Sequence, residues 1–175
     1  MKTVIVTATL VAGGLFLAAC GPKTAPITDS ADGSLSNSDG GVTYGLTLNG
    51  AALTAEGALI GGTDHGTPYI AGSGVYDGTY EVAYRHAGDT EISTDSGAIS
   101  LVADFDTASL SGAAGDLTIS GVISGVTLSG DVTYDGMAGT LTGGVIGANL
   151  AAGYFSGISG GDGFAGGFLT IPATP

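Results

Sequence analysis

Few residues in this sequence have the types and spacing that catalysis requires. The segment GISGG, Gly157 to Gly161, matches the G-x-S-x-G pattern in which a serine, here Ser159, acts as a nucleophile. Such a serine needs a strand before it and a helix after it, because the sharp turn between them exposes the hydroxyl. The residues that follow Ser159 read GGDGFAGG, which is typical of a turn and a strand. We therefore expect no catalytic residues and no enzymatic activity.

Carboxylates, histidines and tyrosines are the other residue types that could do chemistry. Asp104 and Asp106 share one face of a predicted strand and could pair as acid and base, but solvated carboxylates on an outer face are the more common arrangement. His65 and His86 are the only histidines, and they lie near loops, in GTDHGTP and YRHAGD. Tyr69 and Tyr84 are close to them in sequence. No spacing among these residues matches a metal site, and the simplest interpretation is two exposed loop histidines.

The N-terminus has the organisation of an export signal. Lys2 supplies a positive charge, Val4 to Leu17 form an apolar stretch, and Ala18 and Ala19 are the small residues that a signal peptidase needs. The stretch is short for a membrane span, which requires about 20 apolar residues. We predict that residues 1–19 are a signal peptide. The alternative is an anchor helix that is never cut.

The segment LAAC, Leu17 to Cys20, resembles the lipobox of bacterial lipoproteins. In those proteins the cysteine thiol receives a diacylglyceryl group, the chain is cut before the cysteine, and the new amine is acylated. The resemblance implies that Cys20 is the lipid attachment residue and that the protein is membrane-bound through this anchor. Several acyl chains on one residue give stable anchoring, which a single chain does not. Cys20 is the only cysteine, so its use leaves none for a disulfide.

The charge balance excludes nucleic acid as a partner. The formal net charge is −13, and after removal of the signal only Lys23 and Arg85 oppose 16 acidic residues. Such a surface repels phosphate backbones and anionic head groups.

The segment after Cys20 differs from the rest of the chain. Residues 20–41 are rich in Pro, Ser, Asp, Asn and Gly without an apolar period, which predicts a lipidated, disordered, flexible tether. Residues 42–63 could form two strands around the Asn49-Gly50 turn, or in part a short helix.

From about residue 67 to residue 171 apolar and polar side chains alternate, and turn residues recur about every ten positions. Period two is the mark of half-buried antiparallel strands. The predicted inward residues include Tyr80, Val82, Tyr84, Ile99, Leu101, Ala103, Phe105, Leu117, Ile119, Ile123, Leu128, Val132 and Tyr134. Asp135-Gly136 and Asp162-Gly163 are hairpin-type dipeptides. We predict an all-β fold, an eight-stranded antiparallel up-and-down β-barrel within a domain of residues 42–175, preceded by the tether.

Three glycine-rich segments of this barrel resemble the barrel of transferrin-binding protein B and its relatives. They are GAISLVADFDTASLSG (97–112), GDLTISGVISGVTLSGDV (115–132) and GTLTGGVIGANLAAGYFSG (139–157), and Gly166-Gly167-Phe168 matches the closing strand. That family consists of lipid-anchored surface proteins that capture host iron carriers, haem proteins or other proteins. Its full receptors have two lobes, each with a handle domain, and this chain has room for one barrel. Transferrin binding itself is therefore not implied.

The resemblance implies a non-enzymatic, lipid-anchored binding protein of the outer membrane, either surface-exposed or facing the periplasm. Its ligand would be an extracellular protein or a haem-like group. Histidine and tyrosine are haem ligands, so His65, His86, Tyr69 and Tyr84 are the candidate ligand-binding residues; no other cofactor is expected. The alternative is a structural acidic lipoprotein without a specific ligand. A binder should expose an apolar or aromatic patch at one rim of the barrel, whereas a coat protein should be uniformly polar.

The lipobox interpretation makes a direct prediction. The Cys20→Ser variant should lose lipidation and cleavage at this site, because the acylated thiol is gone. Metabolic labelling with palmitate measures this. Label that still enters the variant would refute the assignment.

Overall fold

The structure of the chain is a computed structural model that describes residues 27–61, 71–146 and 150–173. The described residues form eleven β-strands and contain no helix. The strands are β1 (Thr28–Ser36), β2 (Gly40–Asn49), β3 (Ala52–Gly61), β4 (Ser73–Arg85), β5 (Ser93–Asp104), β6 (Ser109–Ala114), β7 (Leu117–Ser124), β8 (Thr127–Tyr134), β9 (Met137–Ile146), β10 (Leu150–Ser159) and β11 (Asp162–Pro172).

Strands β4 to β11 form a closed, up-and-down antiparallel barrel of eight strands, as the sequence predicts. Each strand pairs with the next, and β11 pairs with β4 to close the barrel. The alternating residues predicted to face inward fill the interior, among them Leu101, Ile119 and Val132, each no more than 1% exposed. Burial of these apolar side chains drives the folding of the barrel.

Strands β1, β2 and β3 form a separate antiparallel sheet that lies against the outside of the barrel at β10, β11 and β4. Val42 and Leu46 of β2 are fully buried between the two sheets, where they face Ala152 and Ala165 of the barrel wall. For residues 42–63 the two-strand alternative is therefore the one observed. These strands lie outside the barrel, which begins at Ser73.

The tether predicted for residues 20–41 is wrong over Thr28–Ser36, which form β1, and over Gly40 and Gly41, which begin β2. The predicted signal peptide, Cys20 and the tether up to residue 26 lie outside the described residues. Every residue of β1 is paired with β2. The strand has a weak sequence signal because it lies at the sheet edge, is at most half-buried, and carries only Ala31 and Leu35 as apolar inward residues. Main-chain hydrogen bonds to β2, rather than a hydrophobic face, define it.

The hairpin turns follow the predicted dipeptides in one case and not in the other. Asp135 and Gly136 have φ values of 45° and 75°, as the predicted two-residue turn between β8 and β9 requires. Between β10 and β11 the turn is Gly160-Gly161, with φ values of 62° and 100°, and Asp162-Gly163 begins the next strand. Two consecutive glycines accept positive φ without steric cost, so they take the turn in place of Asp162-Gly163.

The inward and outward register of β8 gives a stability prediction. Val132 is 1% exposed inside the barrel, and its neighbour Thr133 is exposed on the outside. Val132→Asp should unfold the protein, because an unpaired buried charge costs several kcal/mol and a domain of this size is stable by about 5–15 kcal/mol. Thr133→Asp should change the unfolding free energy by no more than about 0.5 kcal/mol. Urea denaturation followed by circular dichroism compares the two, and equal losses would contradict the register.

Candidate functional site

The two ends of the barrel differ in chemistry, because successive hairpins of an up-and-down barrel emerge at alternate ends. One end carries the loop His86–Ile92 and the turns Gly115-Asp116, Asp135-Gly136 and Gly160-Gly161. We call it the acidic end, for Asp89, Glu91, Asp116, Asp135 and Asp162. The opposite end carries the loop Phe105–Ala108, the turn Gly125-Val126 and residues Ala71–Gly72 and Ala173. We call it the apolar end.

His86 joins separate turns at the rim of the acidic end. Its Nε2 donates to Oδ2 of Asp135 at 2.9 Å, and its Nδ1 lies 3.8 Å from Oδ1 of Asp162. The backbone N–H of Ala87 donates to the same Asp162 oxygen at 2.7 Å. Tyr84, the last residue of β4 that faces inward, places its ring 5.8 Å from the His86 ring. The structure thus brings together two of the four candidate ligand residues, whereas His65 and Tyr69 lie outside the described residues.

Arg85 clamps two of these loops together. Arg85 is 8% exposed, and its guanidinium binds main-chain carbonyls. Nε and Nη2 donate to the carbonyl oxygen of Asp89 at 2.9 and 2.6 Å, and Nη1 donates to the carbonyl oxygen of Gly161 at 2.7 Å. These bonds fix the β4–β5 loop against the β10–β11 turn. Hydrogen bonds from a charged donor are stronger than neutral ones, so the loop is held in one position beside His86.

A tyrosine–carboxylate cluster lies inside the barrel below this rim. The hydroxyls of Tyr80 and Tyr134 donate to the same oxygen of Asp95, at 3.1 and 3.2 Å. Burial, reinforced by the hydrogen bond to Asp95 and by its charge, raises the pKa of both tyrosines above the usual range, so both stay protonated donors. Asp95 is not among the residues predicted from the sequence. Its position in the strand could have indicated it. Asp95 is an even number of residues from Ile99 and Leu101, so it lies on the same inward face of β5.

The carboxylates predicted as a pair at Asp104 and Asp106 hold a loop at the apolar end. Oδ1 of Asp104 accepts from the backbone N–H groups of Thr107 and Asp106, at 3.1 and 2.9 Å. The pKa of Asp104 is lowered, mainly by its hydrogen bonds from Thr107. Oδ1 of Asp106 accepts from the backbone N–H of Gly72 at 3.0 Å. These bonds give the two carboxylates a structural role in the loop.

Exposed aliphatic side chains collect at the apolar end. Of six large aliphatic residues exposed on the described part of the barrel, five lie here and one, Ile158, lies at the acidic end. The five are Val75 (44% exposed), Val102 (49%), Val122 (59%), Val126 (48%) and Ile171 (53%). A cavity of about 200 Å³ opens beside Val75, with Phe105 and Pro172 in its lining. This end therefore has the apolar rim that a binding protein needs.

The described residues give no support for a nucleophile, a metal site or a membrane-spanning helix. Ser159 ends β10 and is followed by a turn and β11, so it lacks the strand-turn-helix setting of a nucleophile. Among the described residues, no group of three or more His, Cys, Asp or Glu side chains is arranged to hold a metal ion. No helix long and apolar enough to cross a membrane occurs in the part of the chain that the structure describes.

Comparison with known proteins gives matches in structure alone. No family model and no curated sequence matches the chain. A double mutant of transferrin binding protein B from Haemophilus parasuis superposes with a TM-score of 0.57 at 14% identity, over 83% of this chain and 37% of that one. The protein of the same name from serogroup B Neisseria meningitidis has a TM-score of 0.55 at 15% identity, over 82% and 35%. A surface lipoprotein has a TM-score of 0.53 at 14% identity, over 97% of this chain and 90% of its own.

The barrel therefore has the transferrin binding protein B-like fold, which confirms the resemblance predicted from the sequence. The chain spans 37% and 35% of the two transferrin binding proteins. At this identity the likeness concerns the fold, and residue roles do not transfer with it.

The geometry around His86 predicts the outcome of a haem titration. Because Nε2 already donates to Asp135, we expect that haem added to the purified protein gives the Soret spectrum of unligated haem, and that the His65→Ala, His86→Ala double variant gives the same spectrum. A sharp Soret shift that the double variant loses would contradict this expectation and make a histidine the axial ligand.

Proposed function

We propose that this chain is a non-enzymatic binding protein, anchored to the outer membrane by lipid on Cys20, that takes an extracellular protein as its ligand at the apolar end. The observation that carries the proposal is the concentration of exposed valines and isoleucine at that end. A structural coat protein without a ligand needs no such asymmetry. Exposed apolar groups gathered at one rim favour the binding protein over the coat.

The kind of ligand follows from the surface itself. The five exposed side chains are aliphatic, and the two carboxylates nearby, Asp104 and Asp106, are already used by backbone N–H groups. A complementary ligand presents apolar surface of its own, as the buried centre of a protein–protein interface does. The structural neighbours include proteins named for binding transferrin. They support a protein ligand as a class, and iron or haem carriers are members of that class.

The proposed location in the outer membrane rests on the sequence. Cys20 ends the LAAC segment, and the next residue is Gly21 rather than the aspartate that favours retention in the inner membrane of well-studied bacteria. The named surface lipoprotein, which shares the fold over nearly its whole length, supports an envelope location. Catalysis has no part in the proposal, since Ser159 lies in a hairpin.

Matched variants test the ligand surface. Val102→Asp combined with Val122→Asp places two charges at the apolar end. Ala98→Asp combined with Thr118→Asp places two charges on the same faces of the same strands β5 and β7, four residues nearer the acidic end, at positions that are also exposed. Proteins captured from host fluid or native growth medium on immobilised wild-type protein identify the ligand, and the variants are then compared for affinity.

The apolar-end variant should bind the captured protein at least about tenfold more weakly, because loss of a central apolar contact costs 1–2 kcal/mol or more. The control variant should bind like the wild type. Equal affinities in the two variants would move the binding surface elsewhere. Failure to capture any protein specifically would favour the structural coat.

A further inference from the structure

The described chain begins at the acidic end of the barrel. The carbonyl oxygen of Ile27 accepts from the backbone N–H of Gly50 at 2.7 Å, in the turn between β2 and β3. Two residues later, Oδ2 of Asp29 accepts from the backbone N–H of Ile92 at 2.7 Å, in the loop between β4 and β5. Ile27, Thr28 and Asp29 line one groove with Thr90, Glu91 and Ile92. The point where the chain leaves toward Cys20 is therefore fixed to the acidic end.

The covalent distance from this point to Cys20 is short. Seven Cα–Cα steps separate Cys20 from Ile27. A fully extended chain covers about 3.6 Å per residue, so Ile27 lies within about 25 Å of the Cys20 Cα whatever path the chain takes. A lipid on Cys20 holds that residue at the membrane surface.

The barrel is taller than this reach. Strand β5 has 12 residues. At about 3.3 Å per residue and a tilt of about 40° to the barrel axis, such a strand gives a height of about 30 Å. To rest its apolar end on the membrane, the protein would have to lift Ile27 by that height, which exceeds the reach of the connecting residues.

We propose that the N-terminal anchor holds the acidic end of the barrel toward the membrane and presents the apolar end outward, to the apolar surface of an extracellular protein. This inference rests on the proposed lipid at Cys20. The strand pairing and the hydrogen bonds of Asp29 set the orientation, and the short connection limits its reversal. The carboxylates of the acidic end repel anionic head groups, so this end stands off the bilayer and does not insert into it.

The orientation separates the two candidate surfaces of the protein. Tyr84 and His86 lie at the end that faces the membrane, where a large partner has little room. Val75, Val102, Val122, Val126 and Ile171 lie at the end that faces away. A macromolecular ligand thus reaches the aliphatic rim without passing the anchor.

Two turns at opposite ends of β7 provide a matched pair of probe sites. Asp116 and Val126 are both exposed, and each follows a glycine of positive φ in a two-residue turn. Because lipidated Cys20 is the only native cysteine, Asp116→Cys and Val126→Cys each introduce one free thiol. Each lipidated variant is labelled with a donor fluorophore and reconstituted in phosphatidylcholine vesicles that carry an acceptor-labelled lipid. Mass spectrometry of the same samples reports the lipid on Cys20.

The donor at position 116 should transfer more energy to the labelled lipid than the donor at position 126, which lies farther from the membrane by about the height of the eight-residue strand β7. Insertion of 30 Gly and Ser residues between Pro26 and Ile27 should abolish the difference, because the barrel then turns freely. Equal transfer at both positions with the native connection and with lipid on Cys20 would overturn the orientation and leave the lipid anchor standing. Absence of lipid from Cys20 would overturn the anchor and the orientation with it.

Discussion

The three-stranded sheet packs closely against the barrel, and this contact determines which residues the barrel wall can carry beneath it. The barrel wall at β4, β10 and β11 is buried on both faces, by the interior on one side and by β1–β3 on the other. The two sheets approach closely only where the outward side chains of the barrel are small. Its outward residues there include Ala83, Ala152, Ala165 and Gly167. A Cβ at Gly167 would collide with the side chain of Val42, so a larger residue would push the sheet away.

The same contact sets the position of β1 and of Ile27, the first described residue, on the barrel. With Leu46 packed against Ala83 and Ala165, β2 is held along the barrel, and β1 pairs with β2 along its whole length. The hydroxyl of Tyr44 donates to Glu81 of β4 at 3.1 Å, a polar bond that opposes sliding of the sheet. Ile27, the first residue that the structure describes, therefore lies at one end of the barrel, and packing sets its position relative to the exposed aliphatic side chains at the other end.

The sequence predicts the barrel because each of its strands has one face in a dry interior and most have the other face in water, which produces period two. The prediction weakens where that contrast is lost. β1 has almost no apolar face, and the sequence assigns its residues to the tether. β11 is buried on both faces under the sheet, and the sequence nevertheless predicts it as the closing strand. The site at His86 is harder to predict, because its partners Asp135 and Asp162 lie 49 and 76 residues away in sequence. The inward position of Asp95 could have been predicted from the alternation, since Asp95 shares a face of β5 with Ile99.

The fold explains the side chains at the acidic end better than it explains those at the apolar end. Carboxylates at the acidic end serve the fold: Asp89 and Asp162 accept from backbone N–H groups, and Asp135 binds His86. Folding therefore accounts for part of that charge. An exposed valine contributes little to stability, because side chains gain free energy only from surface removed from water. Val122, at 59% exposure, and its four aliphatic neighbours are thus not explained by folding. Their position at one end is the feature of this surface that a protein ligand explains and that the fold does not require.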